Sequence, residues 1–383
     1  MRIALLGTRG VPAHYGGFET CAEEVGRGLA ARGHAVTVYS RRGNAPGDPA
    51  QHDGMTIGYT GHIEHKILGT LTHTLTATLD ALRRDFDVLL YFNAANALPA
   101  GLGKALRGPP VVLNVDGLEW RRRKWGLLGR TYYHCAEWLS TKVADRVVTD
   151  SRAIQAYYER RWKSPSTYIP YGAYVEGAES PAVLAEYGLE ADGYFLTVSR
   201  LEPENNADLT LQAFAQVATD KKLVIVGGAK YESAFVRRLR RTADSRVKFL
   251  EAEYRADRLR ELYCGALAYV HGNEVGGTNP ALLQAMGHGS CVLALDVPFN
   301  AEVVADAALL YRKDPVDLAA KMQLVLTDAG LVRRLRERGR ERVKEAYRWD
   351  EVIAAYESLL SRVAAGEYRR ARHNGTGPRV PVP

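Results

Sequence analysis

The sequence predicts an α/β protein made of two doubly wound domains, and three observations lead to this prediction. Short apolar segments alternate with helical stretches along the chain, which is typical of parallel sheets covered by helices. The alternation stops in a loose segment rich in glycine, proline and small residues, residues 168–181, and then restarts. A chain of 383 residues is also too long for one ordinary core, so more than one domain is expected.

The apolar segments define the elements in order. In the first half the candidate strands are Ile3–Gly7, Ala35–Ser40, Val88–Phe92, Val111–Val115 and Arg146–Thr149. In the second half they are Tyr194–Val198, Leu223–Val226, Val247–Leu250, Ala266–Val270, Cys291–Leu295 and Ala308–Tyr311. Helices fill the intervals. We therefore predict a first domain over residues 1–172, a second over 190–346, an amphipathic helix over 349–363 that can cross back to the first domain, and a disordered basic tail over 369–383.

The composition is that of a soluble globular protein, with 46% hydrophobic and 25% charged residues. No apolar run approaches the ~20 residues needed to span a bilayer. The first residues indicate a strand rather than a signal peptide. The four cysteines show no paired or metal-type spacing, which fits a reducing compartment. We therefore expect a cytoplasmic protein.

The net charge of +7 is unevenly distributed. Residues 120–125, Trp-Arg-Arg-Arg-Lys-Trp, place four cations between two tryptophans. Tryptophan and arginine together favour an anionic membrane surface, so this segment predicts peripheral attachment to the inner face of the plasma membrane. A solvated loop is the alternative. Nucleic acid is not an expected partner, because no binding motif accompanies the charge.

The stretch from His271 to Gly289 predicts a strand, a glycine-rich turn and a helix. Asn279 can cap the helix with its side-chain oxygen, and Pro280 suits the first helical position. Gly276 and Gly277 allow a ligand to approach the backbone closely. Free N–H groups at the helix N-terminus would then bind phosphate. An ordinary strand-to-helix turn is the alternative.

A second glycine pair, Gly16 and Gly17, precedes a helix that begins near Glu19. This loop lacks the Gly-x-Gly-x-x-Gly pattern directly after its strand, so a nicotinamide oxidoreductase is not expected. The pair can still hold an anion or a sugar. The alternative is a loop that needs two glycines for its turn.

Other polar residues and glycines follow predicted strands, where α/β sheets bind ligands. Asp116 can accept a proton or a sugar hydroxyl, or can simply form an Asp-Gly turn. Arg200 can pair with a diphosphate or form a surface ion pair. Gly227 follows another strand, and His271 is equally compatible with a structural and a catalytic role. The Asp-x-Asp at residues 85–87 lies at the opposite end of the sheet, so no metal site is expected.

Together these segments resemble the retaining GT-B glycosyltransferases of glycosyltransferase family four over nearly the whole chain. The resemblance implies two Rossmann-like domains facing a central cleft. The family's Gly-Arg-Leu segment places its donor-binding arginine at Arg200, and its assisting lysine falls on Asn205. Aligned on Leu-Leu-x-Ala-Met, the family's two glutamates fall on Gly276 and Gln284. These departures all touch donor binding.

A narrower resemblance is to bacterial rhamnosyltransferase-like members. It rests on five segments, residues 7–12, 15–20, 114–120, 202–206 and 275–280. It implies transfer of a sugar, often rhamnose from a dTDP donor, onto a lipid-linked glycan for capsule, cell wall or O-antigen. Such members need no nucleophile on the enzyme, no essential metal and no cofactor.

Strand-end position and resemblance together assign the site residues. The residues expected to bind the dTDP- or UDP-linked donor are Gly16, Gly17, Arg200, Gly227, His271, Gly276, Gly277, Thr278, Asn279 and Gln284. Those expected to bind the acceptor are Arg9, Tyr15, Glu19, Asp116 and Glu119. Arg200 and Asp116 are the predicted catalytic residues, because stabilising the leaving diphosphate and accepting a proton are the two tasks of the reaction.

The leading hypothesis is a nucleotide-sugar glycosyltransferase of cell-surface polysaccharide synthesis. A non-catalytic nucleotide- or glycan-binding relative is a second hypothesis, because Gly276, Asn205 and Gln284 replace charged family residues. A GT-B nucleotide-sugar epimerase is a third. The segment from Tyr15 to Thr20, which looks like an acceptor loop, argues against the epimerase.

Overall fold

The computed structural model describes residues 1–13, 16–65, 68–115, 117–123, 125–228 and 234–368. The predicted tail over residues 369–383 lies outside them. The chain divides into two compact units. The first contains Met1–Trp120, Trp125–Pro170 and the chain from Trp349 onward; the second contains Arg121–Lys124 and Tyr171–Arg348. The predicted fold class, two doubly wound α/β domains, is confirmed.

The first unit is built on an eight-stranded sheet in the order β3-β4-β2-β1-β5-β6-β7-β8. Its strands are β1 (Arg2–Leu6), β2 (Ala35–Arg41), β3 (Gln51–His52), β4 (Met55–Thr60), β5 (Val88–Phe92), β6 (Val111–Asn114), β7 (Arg146–Thr149) and β8 (Ser166–Tyr168). Its helices up to the second unit are α1 (Gly17–Ala31), α2 (Leu68–Ala81), α3 (Ala97–Ala105), α4 (Leu127–Val143) and α5 (Arg152–Trp162). All strand pairs are parallel except β3 with β4.

The second unit is built on a six-stranded parallel sheet in the order β11-β10-β9-β12-β13-β14. Its strands are β9 (Tyr194–Val198), β10 (Lys222–Val226), β11 (Val247–Leu250), β12 (Ala268–His271), β13 (Cys291–Leu295) and β14 (Ala308–Tyr311). Its helices are α6 (Val183–Glu186), α7 (Ala207–Phe214), α8 (Ala234–Thr242), α9 (Ala256–Gly265), α10 (Pro280–Gly287), α11 (Pro298–Val304), α12 (Pro315–Thr327) and α13 (Ala329–Ala346).

The central strands are apolar along their whole length because helices cover both faces of each sheet. Every residue of β5 and of β13 is buried, and neither strand alternates between apolar and polar side chains. In each unit, aliphatic and aromatic side chains of strands and helices form a contiguous core. The predicted strands match the observed ones closely. Sequence reasoning missed β3, β4 and β8, and two of these, β3 and β8, are only two or three residues long.

The last helix, α14 (Trp349–Ala364), belongs to the first unit and packs on α1. The two helices approach so closely that a Cβ at Gly28 would lie 2.3 Å from Ile353 Cδ1. Asn114 Nδ2 at the end of β6 donates a hydrogen bond to Tyr356 Oη at 2.8 Å. Glu357 accepts hydrogen bonds from Arg32 and contacts His34, each at 2.8 Å. Apolar packing and polar contacts thus join the chain's last helix to its first.

Each sheet has a point where the strand order reverses direction. In the first unit this point lies between β1 and β5, and in the second it lies between β9 and β12. Ligands of doubly wound proteins bind outside the carboxyl ends of the strands at such a point. The residues at the carboxyl ends of β1, β5, β9 and β12 are therefore the strand-end residues best placed to bind a ligand.

Candidate active site

The switch point of the first unit is held by an asparagine that sequence reasoning did not single out. Asn96 is fully buried, and its Nδ2 donates to the carbonyls of Gly7 at 3.1 Å and Phe92 at 2.7 Å. It thereby ties the end of β1 to the end of β5. A Cβ at Gly7, which has φ +96°, would lie 2.4 Å from Phe92 O, so this position requires glycine. The only sequence signal was an Asn-Ala-Ala-Asn run after an apolar segment.

Glu19, a predicted acceptor residue, is buried in the first turn of α1. Its Oε1 accepts a hydrogen bond from the backbone N–H of Arg9 at 3.1 Å. Burial raises the pKa of the Glu19 carboxyl, and the bond from Arg9 opposes that rise. The structure thus brings Glu19 and Arg9, both predicted to bind the acceptor, into one contact after β1.

Gly16, at the start of α1, has open space around its backbone among the described residues. Gly16 is extended, with φ −171°, so its conformation suits any residue. An added Cβ there would meet only Glu19 Oε2, at 3.5 Å. Backbone geometry therefore does not explain the glycine, whereas close approach of a ligand would. Gly17 is the first residue of α1.

The other predicted acceptor residues are Glu119, Tyr15 and Asp116, and of these the structure describes Glu119. Glu119 is buried, and its Oε2 accepts a hydrogen bond from Trp125 Nε1 at 3.5 Å. Tyr15 and Asp116 lie outside the described residues. Their predicted roles in acceptor binding, and the predicted catalytic role of Asp116, therefore stay predictions.

In the second unit, Ser199 and then Arg200 follow β9, and the backbone of Arg200 is held in place. Asn205 Nδ2 donates to the carbonyl oxygen of Arg200 at 2.8 Å. Asn205 occupies the position of the family's lysine, and its side chain is 3% exposed. An amide there fixes the loop that carries Arg200, but brings no positive charge to a diphosphate.

His271 ends β12, the other strand of the switch point. It is 1% exposed, and its Nδ1 lies 3.2 Å from Tyr269 Oη. Its Nε2 has no hydrogen-bond partner among the described residues. Burial lowers the pKa of His271 to about 3, so the imidazole is neutral at physiological pH. It can exchange a hydrogen bond with a bound ligand, but it cannot pair with a diphosphate as a cation.

The glycine-rich turn and α10 form as predicted, with one correction. Asn279 caps the helix, since its side chain accepts from the N–H of Ala281 at 3.0 Å. The N–H groups of Leu282 and Leu283 donate to the carbonyl of Asn279, each at 3.1 Å. Pro280 has no N–H. The expectation of free N–H groups in the first helical turn is therefore wrong, because Asn279 and Pro280 leave none.

The N–H groups that remain for an anion belong to the turn before the helix. Within the described part of the chain, the N–H groups of Gly276 and Gly277 donate to no other group. An added Cβ at Gly276 would meet nothing within 4 Å, so the turn is open there. Thr278 is buried, whereas Gln284 in α10 is half-buried. The N–H groups of the turn, rather than those of the first helical turn, are therefore the candidates for anion binding. The positive end of the helix dipole, next to this turn, also favours an anion there.

Gly227, a further predicted donor residue, has a structural reason to be glycine. A Cβ at this position would lie 1.9 Å from the carbonyl oxygen of Ser199, at the end of the neighbouring strand. Replacement by any other residue would push apart the ends of β9 and β10. Its proximity to Ser199 places it next to Arg200, at the same sheet edge.

A network that sequence reasoning missed supports the loop after β12. Asn206 Nδ2 donates to Gly272 O at 2.8 Å, and Asn300 Nδ2 donates to Asn273 O at 3.0 Å. The next residue, Glu274, forms ion pairs with Arg123 at 3.3 Å and with Lys313. An uncompensated carboxylate would repel a diphosphate, and these two cations neutralise it.

The tryptophan-flanked basic segment does not present its cations as the sequence predicts. Arg122 is 8% exposed, and its Nη1 lies 3.7 Å from Oε1 of the buried Glu204. Arg123 pairs with Glu274. At least two of the four cations therefore pair with carboxylates of the second unit, and the predicted membrane contact of this segment stays a prediction.

Among the described residues, one group of side chains could hold a metal ion. Its ligand atoms, on Glu23, His52 and Asp53, all lie within 4.8 Å of one another. His52 belongs to β3, the edge strand of the first sheet, and its Nε2 lies 2.6 Å from Glu23 Oε1, within hydrogen-bond distance. Glu23 Oε2 also accepts a hydrogen bond from the N–H of Ala13, in the loop after β1, at 3.3 Å.

Comparison with known proteins shows the family to which the two units belong. Residues 16–172 match the family described as Glycosyl transferase 4-like domain, and residues 184–342 match Glycosyl transferases group 1. The two matches correspond to the two units. The chain is a GT-B glycosyltransferase.

Solved structures agree with this fold. The glycosyltransferase superposes on sucrose-phosphate synthase from Thermosynechococcus elongatus with a TM-score of 0.79 and 21% identity, covering 95% of this chain and 99% of that one. It superposes on Anabaena HepE in complex with UDP-glucose with a TM-score of 0.77 and 17% identity, covering 94% and 99%. At such identities the likeness concerns the fold alone.

One curated relative is similar in sequence. O-antigen chain mannosyltransferase B of Escherichia coli is 28% identical to the glycosyltransferase over 227 residues, which are 56% of this chain and 55% of that protein. The match thus spans about half the length of the relative. Within the described residues, the glycosyltransferase has no helix long and apolar enough to cross a membrane.

Proposed function

We propose that this glycosyltransferase moves a sugar from a nucleoside-diphosphate donor to a glycan or lipid-linked acceptor in cell-surface polysaccharide synthesis, with retention of anomeric configuration. One observation carries the proposal. Arg200 lies just past β9 and His271 ends β12, the two strands of the second unit's switch point, and an open glycine-rich turn with available N–H groups comes after His271. A diphosphate needs a cation and several N–H donors in one place, and this edge supplies both.

The donor side of the mechanism follows from these groups. Arg200 pairs with the diphosphate, and the N–H groups of Gly276 and Gly277 stabilise the charge that develops as the glycosidic bond breaks. His271, being neutral, offers a hydrogen bond through Nε2 rather than a charge. Gln284 takes the position from which the family's glutamate holds the ribose.

The acceptor is assigned to the first unit, around Arg9, Glu19 and Gly16 after β1. Burial raises the pKa of the Glu19 carboxyl, which favours a hydrogen bond between that carboxyl and a sugar hydroxyl. Support for a cell-surface glycan comes from the relative, which is named as an O-antigen chain mannosyltransferase. The protein is proposed to act in the cytoplasm, where nucleotide sugars are made.

The experiment is a donor panel with the full-length protein. Thermal shift and hydrolysis are measured with dTDP-rhamnose, GDP-mannose and UDP-glucose, and transfer is measured with lipid-linked and soluble glycan acceptors. Transfer with one donor, and an unchanged anomeric configuration by NMR, supports the proposal. Binding without hydrolysis or transfer would favour a non-catalytic relative. Interconversion of the nucleotide sugar without an acceptor would instead favour an epimerase, and inversion would refute retention.

A further inference from the structure

The first unit exposes an apolar surface that its own fold leaves uncovered. Leu127 and Leu128, at the start of α4, are 82% and 89% exposed, more than any other large apolar side chain of the described residues. Trp138 on the same helix is 49% exposed, and Leu98 on α3 is 56% exposed. A single exposed apolar side chain is common on protein surfaces, whereas a group of them on one surface marks a contact site.

The helices that carry these side chains, α3 and α4, run side by side in the same direction. Tyr132 Oη donates to the carbonyl of Ala95 at 2.6 Å, near the beginning of both helices. Further along, a Cβ at Gly101 would lie 3.1 Å from Val143 Cγ1. Between these contacts lies a groove of about 230 Å³. It is lined by Leu98, Tyr132, Cys135, Ala136, Trp138 and Leu139.

The spacing of the exposed residues confirms that each helix presents one side. On α3, Leu98 and Leu102 are exposed and four residues apart, and Leu106 follows at the same spacing just past the helix end. On α4, Leu127 and Leu128 are followed at helical spacing by Trp138. We call this surface, made of Leu98, Leu102, Leu106, Leu127, Leu128 and Trp138, the α3–α4 face.

The charges on the two helices have one sign wherever they reach solvent. Arg107, Arg130 and Lys142 are exposed. Lys104 is half-buried and donates to the carbonyl of Val143 at 2.8 Å. The one carboxylate of these helices, Glu137, is 2% exposed. An apolar face with a purely cationic rim complements an anionic, partly apolar surface.

We propose that the α3–α4 face docks the protein onto an anionic lipid surface, with its leucines and Trp138 in the headgroup boundary and Arg107, Arg130 and Lys142 against lipid phosphates. Tryptophan and leucine on one side of a helix with cations at its rim are what such interfaces bind. A second copy of the chain fits the face less well, because a two-fold contact would bring each cation towards its own copies. This site differs from the Trp120–Trp125 run, in which Arg122 and Arg123 pair with Glu204 and Glu274.

The test uses full-length protein and vesicles of phosphatidylcholine with and without phosphatidylglycerol. Wild type should pellet with the anionic vesicles and be released by salt, since cation–lipid attraction is screened. Leu127→Glu with Leu128→Glu should lower the partition coefficient at least about tenfold. Arg130→Ser with Lys142→Ser should lower it by about thirtyfold on anionic vesicles only, since each cation contributes about 1 kcal/mol. Both variants should unfold at the wild-type temperature and keep wild-type donor binding.

A matched control carries the same change of charge elsewhere. Val316 and Tyr254, on the second unit, are 63% and 50% exposed, and Val316→Glu with Tyr254→Glu should pellet like wild type. If Leu127→Glu with Leu128→Glu did not fold, Leu98→Gln with Trp138→Gln would test the same face. Brominated lipid should quench the fluorescence of Trp138, and Trp138→Phe should remove that quenching.

Three outcomes would overturn the proposal. Equal pelleting of wild type and Leu127→Glu with Leu128→Glu shows that the face does not touch lipid. Equal loss in the Val316→Glu with Tyr254→Glu control shows that added negative charge alone explains the effect. A concentration-dependent dimer that Leu127→Glu with Leu128→Glu dissociates, without vesicle binding by wild type, assigns the face to a second copy. None of these readouts depends on the donor, so the proposal stands or falls separately from the proposed function.

Discussion

Arg122 Nη1 lies 3.7 Å from Glu204 Oε1, and both side chains are buried in the second unit. Glu204 precedes Asn205 and Asn206, and its carbonyl oxygen accepts the N–H of Glu274 at 3.1 Å. The pair thus lies at the base of the loops that carry the predicted donor residues. A cation that the sequence predicts on a membrane contact is instead an internal counterion.

We predict that Arg122→Ala lowers the free energy of unfolding by about 3–5 kcal/mol, because it leaves the Glu204 carboxylate buried without its cation. Urea unfolding measures the change. Arg122→Met combined with Glu204→Gln should recover most of the loss, since neither charge then remains. The exposed neighbour Arg121 supplies the control, and Arg121→Ala should change stability little. Equal effects of the two alanine variants would contradict a role for the buried pair.

Arg200→Ala should reduce kcat/KM for the donor by an amount corresponding to about 2–4 kcal/mol, by analogy with the loss of one oxyanion donor. The fold should survive, because Arg200 is half-buried and the bond at its position uses the backbone carbonyl. Steady-state kinetics with the best donor measures the effect. Arg333→Ala, an exposed arginine on α13, is the matched control and should behave as wild type. A folded Arg200→Ala variant with wild-type kcat/KM would remove Arg200 from the donor site.

Gln284→Glu should tighten donor binding by up to about tenfold, because a hydrogen bond to a charged acceptor is worth about 1.5–3 kcal/mol against about 1 for a neutral one. Calorimetric titration of the donor compares the two proteins. Gln323→Glu, at an exposed position of α12, adds the same charge at a distance from the turn. Weaker binding in the Gln284→Glu variant alone would mean that the new charge repels the diphosphate and that Gln284 does not hold the ribose.

Activity should survive EDTA. Arg200 and the N–H groups of Gly276 and Gly277 can supply the positive field that Mg²⁺ supplies elsewhere. The group formed by Glu23, His52 and Asp53 lies beside β3, so a metal bound there could change stability without changing turnover. The assay is donor turnover after chelation, with Mg²⁺ and Mn²⁺ added back. Complete loss that either ion restores would refute metal independence.

Stability should fall as the pH drops from about 6.5 towards 4. Burial lowers the pKa of His271 to about 3 and those of His73 and His288 to about 4, so the unfolded chain binds more protons than the folded one across this window. The free energy of unfolding therefore rises with pH there, by about 2 kcal/mol per histidine between pH 5 and 7. Urea unfolding of wild type and His271→Gln at both pH values measures the difference. The slope should be smaller in the variant, and an identical slope would contradict a buried neutral His271.

The order of the apolar segments determined the α/β class. A strand that helices cover on both faces must be continuously apolar, whichever strands lie beside it in the sheet. The same local chemistry predicted the cap on α10 by Asn279, which needs only the residue itself and the helix after it. Arg200 and His271 could be proposed as site residues because each directly follows a strand. Arg200 and His271 lie at the same edge of the sheet because β9 and β12 are neighbours, and no local sequence pattern contains that strand order.

Only the tertiary structure decided which strand ends are neighbours and which charges are neutralised. Asn96 joins β1 to β5 across a sequence gap, so its role exists only once those strands pair. Arg122 lies far in sequence from Glu204, and the basic run therefore looked exposed until its buried partner was known. Likewise, only the packing of α3 and α4 shows that the leucines of the α3–α4 face lie on the surface. Periodicity along a chain reports which side of an element is apolar, whereas long-range contacts decide what that side faces.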